Sequence, residues 1–197
     1  MDSGRHQPEI RASYKKVVMY NKNLYNTLEI PGSFLVPGFS IYVLEIIKEK
    51  EKWYYIGMTG DPHYPSARSA YYRLVGHLEL NERSTQYQLR IALKEKMGIN
   101  NDEDFKNVTI KMHHYPIPGF KKLNVKLSDS EVVKQLKQTQ EYKDYKEIQQ
   151  KVLALENALI FELKDKLLNK TKGQSIDRET IPFPEIYKSI IELVNNG

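Results

Sequence analysis

Glu156 occupies a position in the sequence that suggests chemistry. When residues from about 150 to 168 are drawn as a helix, Val152, Leu159 and Leu163 form an apolar stripe that includes Glu156. An ionised carboxylate buried there without a partner would be strongly destabilising. We therefore expect Glu156 to meet a cation, a metal ion or a strong hydrogen-bond donor. A structural salt bridge to an inward-facing Arg or Lys is an alternative reading of the same pattern.

Arg73 and His77 lie four residues apart in a second predicted helix, which begins at about Ser66. This spacing places both side chains on one helix face, where they can address the same substrate. Arginine can bind a phosphate with two hydrogen bonds, and histidine can donate or relay a proton near neutral pH. The apolar residues of the segment, among them Tyr71 and Leu74, lie on the opposite face. The pattern therefore predicts that Arg73 and His77 point away from the core, and both also fit an ordinary solvated surface.

Tyr42 and Tyr55 lie in two short strand-like segments, 40–44 and 53–57, which are joined by the charged stretch 48–52. This arrangement predicts a β-hairpin, and strand alternation allows both hydroxyl groups to lie on one face of it. Gly57 ends the second segment, where a glycine often lets a ligand or another backbone approach closely. Tyrosines are also common as plain core or surface residues of strands.

Several further elements are needed to position these residues. A helix from Ser84 or Thr85 is expected to end at Gly98, and the alternating segment Asn107 to His113 predicts a third strand. The stretch from Glu9 to Leu28 has helical spacing, although 16–20 could equally form a strand.

The second half of the chain is predicted to be helical. A capping-box sequence at 128–131 predicts a polar helix that continues to about Gln149, followed by the separate helix that carries Glu156. Pro184 is expected to begin a last helix, whose apolar stripe must dock on the body of the protein or on a second subunit. That stripe consists of Tyr187, Ile190, Ile191 and Val194.

Taken together, these residues resemble the GIY-YIG nuclease family. Ser40-Ile41-Tyr42 and Tyr55-Ile56-Gly57 are similar to its two tripeptides, and Arg73, Glu156 and Asn169 follow in the family's order. The resemblance covers roughly residues 38–173, and the spacing from Arg73 to the histidine four residues later is most similar to the restriction-enzyme branch. The sequence departs from the family where Ser40 replaces a glycine and where a methionine follows the second tripeptide.

The resemblance implies a fold, a cofactor and a role for each residue. The fold is α+β, with a small three-stranded antiparallel sheet flanked by helices and with helical insertions. Tyr42 would activate the attacking water with Tyr55 beside it, Arg73 would hold the phosphate with His77 assisting, and Glu156 would bind Mg²⁺, for which Mn²⁺ could substitute. Asn169 matches the asparagine that follows the glutamate helix, and it also fits the plain reading of a frayed helix end. Arg68 is a second candidate for the phosphate role, because the gap from Tyr55 to Arg73 is long.

The bulk properties of the chain agree with this interpretation. Its 197 residues and 40% hydrophobic content fit one domain with extensions, which we place at 1–37, 38–173 and 174–197. A net charge of +5 suits an anionic partner, and the absence of cysteine excludes disulfides and thiol catalysis. Adjacent His113 and His114 would point to opposite faces of a strand, which argues against a shared metal ion. No apolar run approaches the roughly 20 residues that span a bilayer, so we expect a cytoplasmic protein without membrane contact.

The expected function is a Mg²⁺-dependent endonuclease that cuts double-stranded DNA, most similar to a type II restriction enzyme. Two alternatives stay open: a repair, recombination or mobile-element nuclease of the same fold, and a nucleic-acid-binding module without turnover. If the protein makes double-strand breaks, one site per subunit implies either a homodimer or sequential nicking, and the helix near Ile190 is a candidate dimer surface.

Overall fold

The fold is built on a three-stranded antiparallel sheet. A computed structural model describes residues 27–60, 67–79, 88–120, 123 and 130–197. Strand β1 (Ser40–Lys48) lies between β2 (Glu51–Met58) and β3 (Val108–Pro116). The predicted hairpin and third strand are therefore confirmed, and the register places Tyr42 opposite Gly57 on one side and His114 on the other.

Six α-helices accompany the sheet in the described part of the chain, which confirms the α+β class. They are α1 (Ala70–Leu78), α2 (Gln88–Met97), α3 (Asp102–Lys106), α4 (Ser130–Leu136), α5 (Gln140–Leu163) and α6 (Pro184–Asn196). Gly98 follows α2 with a φ of 62°, as expected for a glycine that ends a helix. None of the described helices is long and apolar enough to cross a membrane.

Apolar side chains cover both faces of the sheet. Because successive residues of a strand point to opposite faces, the nearly continuous apolar run of β1 supplies two cores. The first core joins the sheet to α5 and α6 and includes Ile41, Val43, Ile56, Val152, Leu159 and Ile190. The second joins it to α2 and includes Tyr42, Leu44, Ile46, Leu89, Leu93 and Leu168.

The helix that carries Glu156 is longer at its start than the sequence indicates. The expected break near Gln149 does not occur, since α5 runs without interruption for 24 residues from Gln140. The break lies instead before Thr139, whose side chain accepts a hydrogen bond from the Tyr142 N–H and caps the helix. No change in the spacing of apolar residues marks this boundary, and a single threonine is a weak signal for a helix start.

The same helix ends at Leu163, not at Leu168, because the chain turns to run beside the sheet. A single 3-10 turn, Lys164–Lys166, leads into an extended stretch in which the Leu168 N–H donates to the Tyr54 carbonyl at 2.7 Å. Leu167 forms a parallel bridge with Tyr54. This stretch supplies hydrogen-bond partners to part of the outer edge of β2, beside which the described residues place no other strand.

The last helix follows its prediction from Pro184 onward. Ile190 and Val194 are buried in the core that α5 also supplies, so the apolar stripe docks on this chain itself. Docking on the body of the protein, the first of the two expected arrangements, is thus what Ile190 and Val194 show, whereas a dimer contact near this helix stays a prediction. Residues 31–197 form one compact unit, and residues 1–30 belong to a second unit. The helix predicted from Glu9 lies outside the described residues except for its last two positions, which are not helical.

Candidate active site

Helix α1 presents Arg73 and His77 to the sheet. His77 is only 3% exposed, whereas Tyr72 and Val75 on the same helix are 49% and 50% exposed. The predicted outward orientation of His77 was therefore wrong, since it lies on the inward side of α1 together with Leu74 and Leu78, which pack against the second core. The face that packs on the sheet meets two tyrosines, and a histidine can hydrogen-bond to such a surface where an aliphatic side chain cannot.

His77 lies between the two tyrosines of the hairpin. Its Nε2 is 2.6 Å from the Tyr42 hydroxyl oxygen, a short hydrogen bond inside the protein. The His77 ring also stands edge-on to the Tyr55 ring, with 4.9 Å between ring centroids. Tyr42 and Tyr55 share one face of the sheet, as the strand alternation indicates, and the α1 residue joins them into one cluster.

Gly57 makes the position of Tyr42 possible. The two residues are cross-strand partners, and a β-carbon placed at Gly57 would overlap the phenol ring of Tyr42. The tyrosine ring therefore lies across the second strand, which needs a residue without a side chain at that point. This contact gives a physical reason for a glycine two residues after Tyr55.

The burial of the two tyrosines makes their hydroxyl groups weak acids. Burial raises the pKa of Tyr42 to about 12, against the opposing effect of the nearby Arg73 guanidinium. Burial also raises the pKa of Tyr55, and the neighbouring Tyr42 and Glu156 act in the same direction. Tyr42 has no exposed surface, whereas Tyr55 is partly exposed.

Arg73 is the cation of the cluster. Its guanidinium group lies close enough to Tyr42, Tyr55 and Glu156 to interact with all three. The Arg73 Nε is buried and has no hydrogen-bond partner among the described residues. A buried donor without a partner is unusual, and a catalytic role or a bound water or ion are among the explanations for one. Arg68 is exposed and its guanidinium lies 4.5 Å from the centroid of the Tyr72 ring, so Arg73 is the arginine at the tyrosine cluster.

Glu156 is half-buried on α5 and has two of the three partner types expected from its sequence position, a cation and a hydrogen-bond donor. Burial raises the pKa of its carboxyl group to about 7, while the Arg73 guanidinium and the backbone N–H of Met58 act in the opposite direction. The nearby Arg73 guanidinium favours the ionised form of Glu156, although the two side chains do not form a direct ion pair. The carboxylate and the guanidinium therefore border one site from opposite elements, α5 and α1.

Asn169 lies beside β2, and both ends of its amide group bind the backbone of that strand. The Ile56 N–H donates to Asn169 Oδ1 at 2.9 Å, and Asn169 Nδ2 donates to the Ile56 carbonyl at 2.7 Å. The side chain thus takes the place of a missing neighbouring strand, two residues along from the Met58 N–H that faces Glu156. These contacts hold β2 in place at Ile56, the residue between Tyr55 and Gly57.

Two further features of the site are not predicted by the sequence. His114 lies directly opposite Tyr42 on β3, on the same face, and packs against Phe34 with 4.9 Å between ring centroids. Burial lowers the pKa of His114. The adjacent His113 points to the other face, where it contacts Glu45 at 3.1 Å, as the alternation predicts. Only the register between β1 and β3 could have placed His114 beside Tyr42.

The second missed feature is a polar clamp at the start of β1. The Ser40 N–H donates to the Thr59 hydroxyl oxygen at 2.7 Å, and that hydroxyl group donates to the Gly38 carbonyl. The Ser40 hydroxyl oxygen also lies 3.1 Å from the Thr59 hydroxyl oxygen, within hydrogen-bond distance. Ser40 therefore ties the beginning of β1 to the end of β2, next to Met58.

Within the described residues, no group of three or more His, Cys, Asp or Glu side chains converges as a metal-binding cluster. Glu156 is the carboxylate that adjoins the tyrosines and the arginine. Comparison of the chain with family models, with curated proteins and with solved structures found no match. The chemistry of the site is thus the basis on which a function can be proposed.

Proposed function

We propose that this protein is a Mg²⁺-dependent DNA endonuclease of the GIY-YIG family, acting as a restriction-type enzyme. The observation that carries the proposal is the meeting of Tyr42, Tyr55, Arg73, His77 and Glu156 at one site. These side chains come from two strands and two helices that are far apart in the sequence. Hydrolysis of a phosphodiester needs a base for water, a cation for the phosphate and a metal ligand, and this set contains each of them.

Arg73 is the group that would bind the scissile phosphate. Its buried Nε lacks a partner among the described residues, so a phosphate oxygen would supply the missing acceptor. A fixed guanidinium beside the phosphate stabilises the negative charge that grows in the transition state. The bound phosphate would also take up part of the Arg73 charge, and Arg73 now partly balances the charge of Glu156.

Tyr42 and His77 would together take the proton from the attacking water. With its pKa raised to about 12, Tyr42 is a poor base by itself. The 2.6 Å hydrogen bond gives its phenol proton an acceptor, the Nε2 of His77, when the tyrosine receives a proton from water. Tyr42 itself has no exposed surface, whereas the neighbouring Tyr55 is partly exposed.

The donor set around Glu156 fits a hard divalent cation. Mg²⁺ is commonly held by one or two carboxylates, with water and substrate phosphate oxygens completing its coordination. Glu156 supplies one such carboxylate at the border of the tyrosine cluster, and Mn²⁺ would accept the same oxygen ligands. When bound, the ion supplies positive charge to the non-bridging oxygens of the phosphate. Ionisation of Glu156, which its burial opposes, is required for this role.

Cleavage of supercoiled plasmid DNA in Mg²⁺ by the wild type and by Glu156→Gln tests the proposal. The glutamine keeps the size of the side chain and an acceptor for the Met58 N–H, but it cannot supply a negative charge to the metal ion. We expect discrete fragments or nicks from the wild type and a loss of at least about 100-fold in the variant. Glu147→Gln on the exposed face of the same helix is the matched control and should cut at the wild-type rate.

Retained metal-dependent cutting by Glu156→Gln would contradict the assignment. Cutting limited to branched or flapped DNA would favour a repair or recombination nuclease of the same fold. Binding of DNA without any cleavage in Mg²⁺ or Mn²⁺ would favour a non-catalytic binding module. Light scattering of the DNA complex separates a homodimer from a monomer that nicks each strand in turn.

A further inference from the structure

A groove lined with lysines lies beside the candidate active site. It is a cavity of about 430 Å³ between the end of α5 and the loop that follows Leu167. We call it the lysine groove and define it by Lys164, Lys170, Thr171 and Lys172, with Asn169 as the residue nearest to β2. None of these lysines has a role in the proposed hydrolysis.

The groove carries a positive charge that is available to a ligand. Lys164 and Lys172 have no ion-pair partner within the part of the chain that the structure describes. Lys170 pairs with Glu95 at 3.4 Å, but both side chains are well exposed, and such pairs are weak and readily exchanged. Asp165 is the one carboxylate in the lining, so the lysines outnumber it by three to one.

The walls of the groove are held in place by backbone contacts. Gly173 has a φ of 65°, and a β-carbon there would overlap the backbone of Asn157 in α5. The next residue, Gln174, donates its N–H to the Asn157 carbonyl at 3.2 Å. Asn169 holds the other end of the loop to Ile56. The loop that presents the lysines is therefore fastened at both ends.

Two elements connect the groove to the active site. Along α5, Ile160 lines the groove one helical turn after Glu156, and Lys164 follows one turn later, at about 12 Å from Glu156 along the axis. Along β2, Asn169 binds Ile56, two residues before the Met58 N–H that faces Glu156. A span of about 12 Å corresponds to roughly three to four nucleotides of one DNA strand, which rise about 3.4 Å each.

We propose that the lysine groove binds backbone phosphates of DNA a few nucleotides away from the scissile phosphodiester. The inference rests on the proposed function for its substrate class. Lysine binds phosphate as a flexible point charge, so the groove would hold the duplex in register and would carry no sequence information itself. Each lysine that neutralises a phosphate also makes affinity more sensitive to salt.

The test compares Lys164→Gln/Lys172→Gln with a matched control, Lys137→Gln/Lys143→Gln. The control removes the same charge from exposed lysines near the opposite end of α5, about 30 Å away along the helix axis. Affinity for a fluorescent 20-base-pair duplex is measured by anisotropy in Ca²⁺ at several salt concentrations. We expect the slope of log affinity against log salt to fall by about 1.8 for the groove variant and to stay unchanged for the control.

The outcomes separate this inference from the proposed function. If the wild type binds and cuts DNA while the groove variant keeps the wild-type slope, the inference is wrong and the nuclease proposal stands. If the wild type binds DNA without cutting it and the groove variant loses slope, the groove is confirmed and the nuclease proposal fails. An equal loss of slope in both variants indicates a diffuse basic surface and overturns the groove. Absence of any binding to the duplex by the wild type overturns both.

Discussion

At the scale of single residues, the proposed metal ligand Glu156 lowers the stability of the fold. Its carboxyl group is held on an apolar stripe, and burial raises its pKa to about 7 from the ordinary value of 4.5. The folded protein therefore keeps a proton on Glu156 over a pH range in which the unfolded chain has lost it. A site that is unfavourable for an anion alone becomes favourable when a cation joins it, which is the behaviour expected of a metal ligand.

This ionisation predicts a pH dependence of stability. Between pH of about 4.5 and about 7 the folded state binds more protons than the unfolded state, so the free energy of unfolding falls as pH rises through this window. The fall attributable to Glu156 is about 3 kcal/mol at most and is complete above pH 7. Glu156→Gln should remove it, so the variant should gain stability over the wild type at pH 8 and lose that advantage at pH 4.

Urea unfolding of both proteins at pH 4, 6 and 8 without divalent ions measures the effect. The quantity to compare is the difference between variant and wild type, since other groups titrate equally in both. A difference that does not change with pH would show that Glu156 has an ordinary pKa in the folded state.

At the scale of elements, the outer edge of β2 organises the site. Leu168, Asn169 and Glu156 supply the hydrogen-bond partners that a fourth strand would otherwise provide. The strand that carries Tyr55 and Gly57 is thus held by the Glu156 side chain and, in the segment after α5, by the Leu168 backbone amide and the Asn169 side chain. A displacement of that segment would shift β2 and thereby move Tyr55 relative to Glu156.

Asn169→Ala should reveal this positioning role. The substitution leaves the Ile56 N–H and carbonyl without their partner, which we expect to lower the free energy of unfolding by about 1–3 kcal/mol. Cleavage should fall at the same time, because β2 carries Tyr55. Asn196→Ala at the exposed end of α6 is the control and should change the free energy of unfolding by less than about 0.5 kcal/mol.

Thermal and urea unfolding, together with a cleavage assay at a temperature where both variants are folded, measure the two effects. Asn169→Asp is informative as well, since it keeps the acceptor for the Ile56 N–H and loses the donor to the Ile56 carbonyl. Wild-type stability combined with abolished cleavage in Asn169→Ala would contradict a positioning role and indicate direct contact with substrate.

The sequence predicts these elements unequally well. The hairpin, the third strand and α6 follow from local signals, namely alternation, turn residues and a proline at a helix start. The inward face of α1 does not, because His77 is buried through a partner, Tyr42, that lies 35 positions away. Likewise, only the register of the strands brings His114 to the site. Asn169 contacts Ile56 only because the chain after α5 turns back along β2. Long-range pairing of this kind leaves no periodic signal.

At the scale of the whole molecule, α6 seals one side of the sheet. Ile190 and Val194 are buried against the core of this chain, so the helix is a structural part of residues 31–197. Ile190→Ala should therefore lower the free energy of unfolding by about 2–5 kcal/mol. It should leave the oligomeric state unchanged, because the stripe contacts its own chain.

Glu192→Ala on the exposed side of α6 is the control, with an expected change below about 0.5 kcal/mol. Urea unfolding gives the stability of each variant, and light scattering gives the molar mass in solution. A change of molar mass in Ile190→Ala without a loss of stability would indicate that the stripe is an intermolecular surface.

The covering of β2 by residues 167–169 also bears on aggregation. An edge strand with unpaired backbone groups is a template on which another chain can add a strand. In this sheet the β2 edge is occupied by the Leu168 amide and the Asn169 side chain, while the β3 edge carries the exposed Lys111 and ends at Pro116. Both edges therefore discourage strand addition. Two copies that meet on DNA would be expected to join through side chains and not as one continuous sheet.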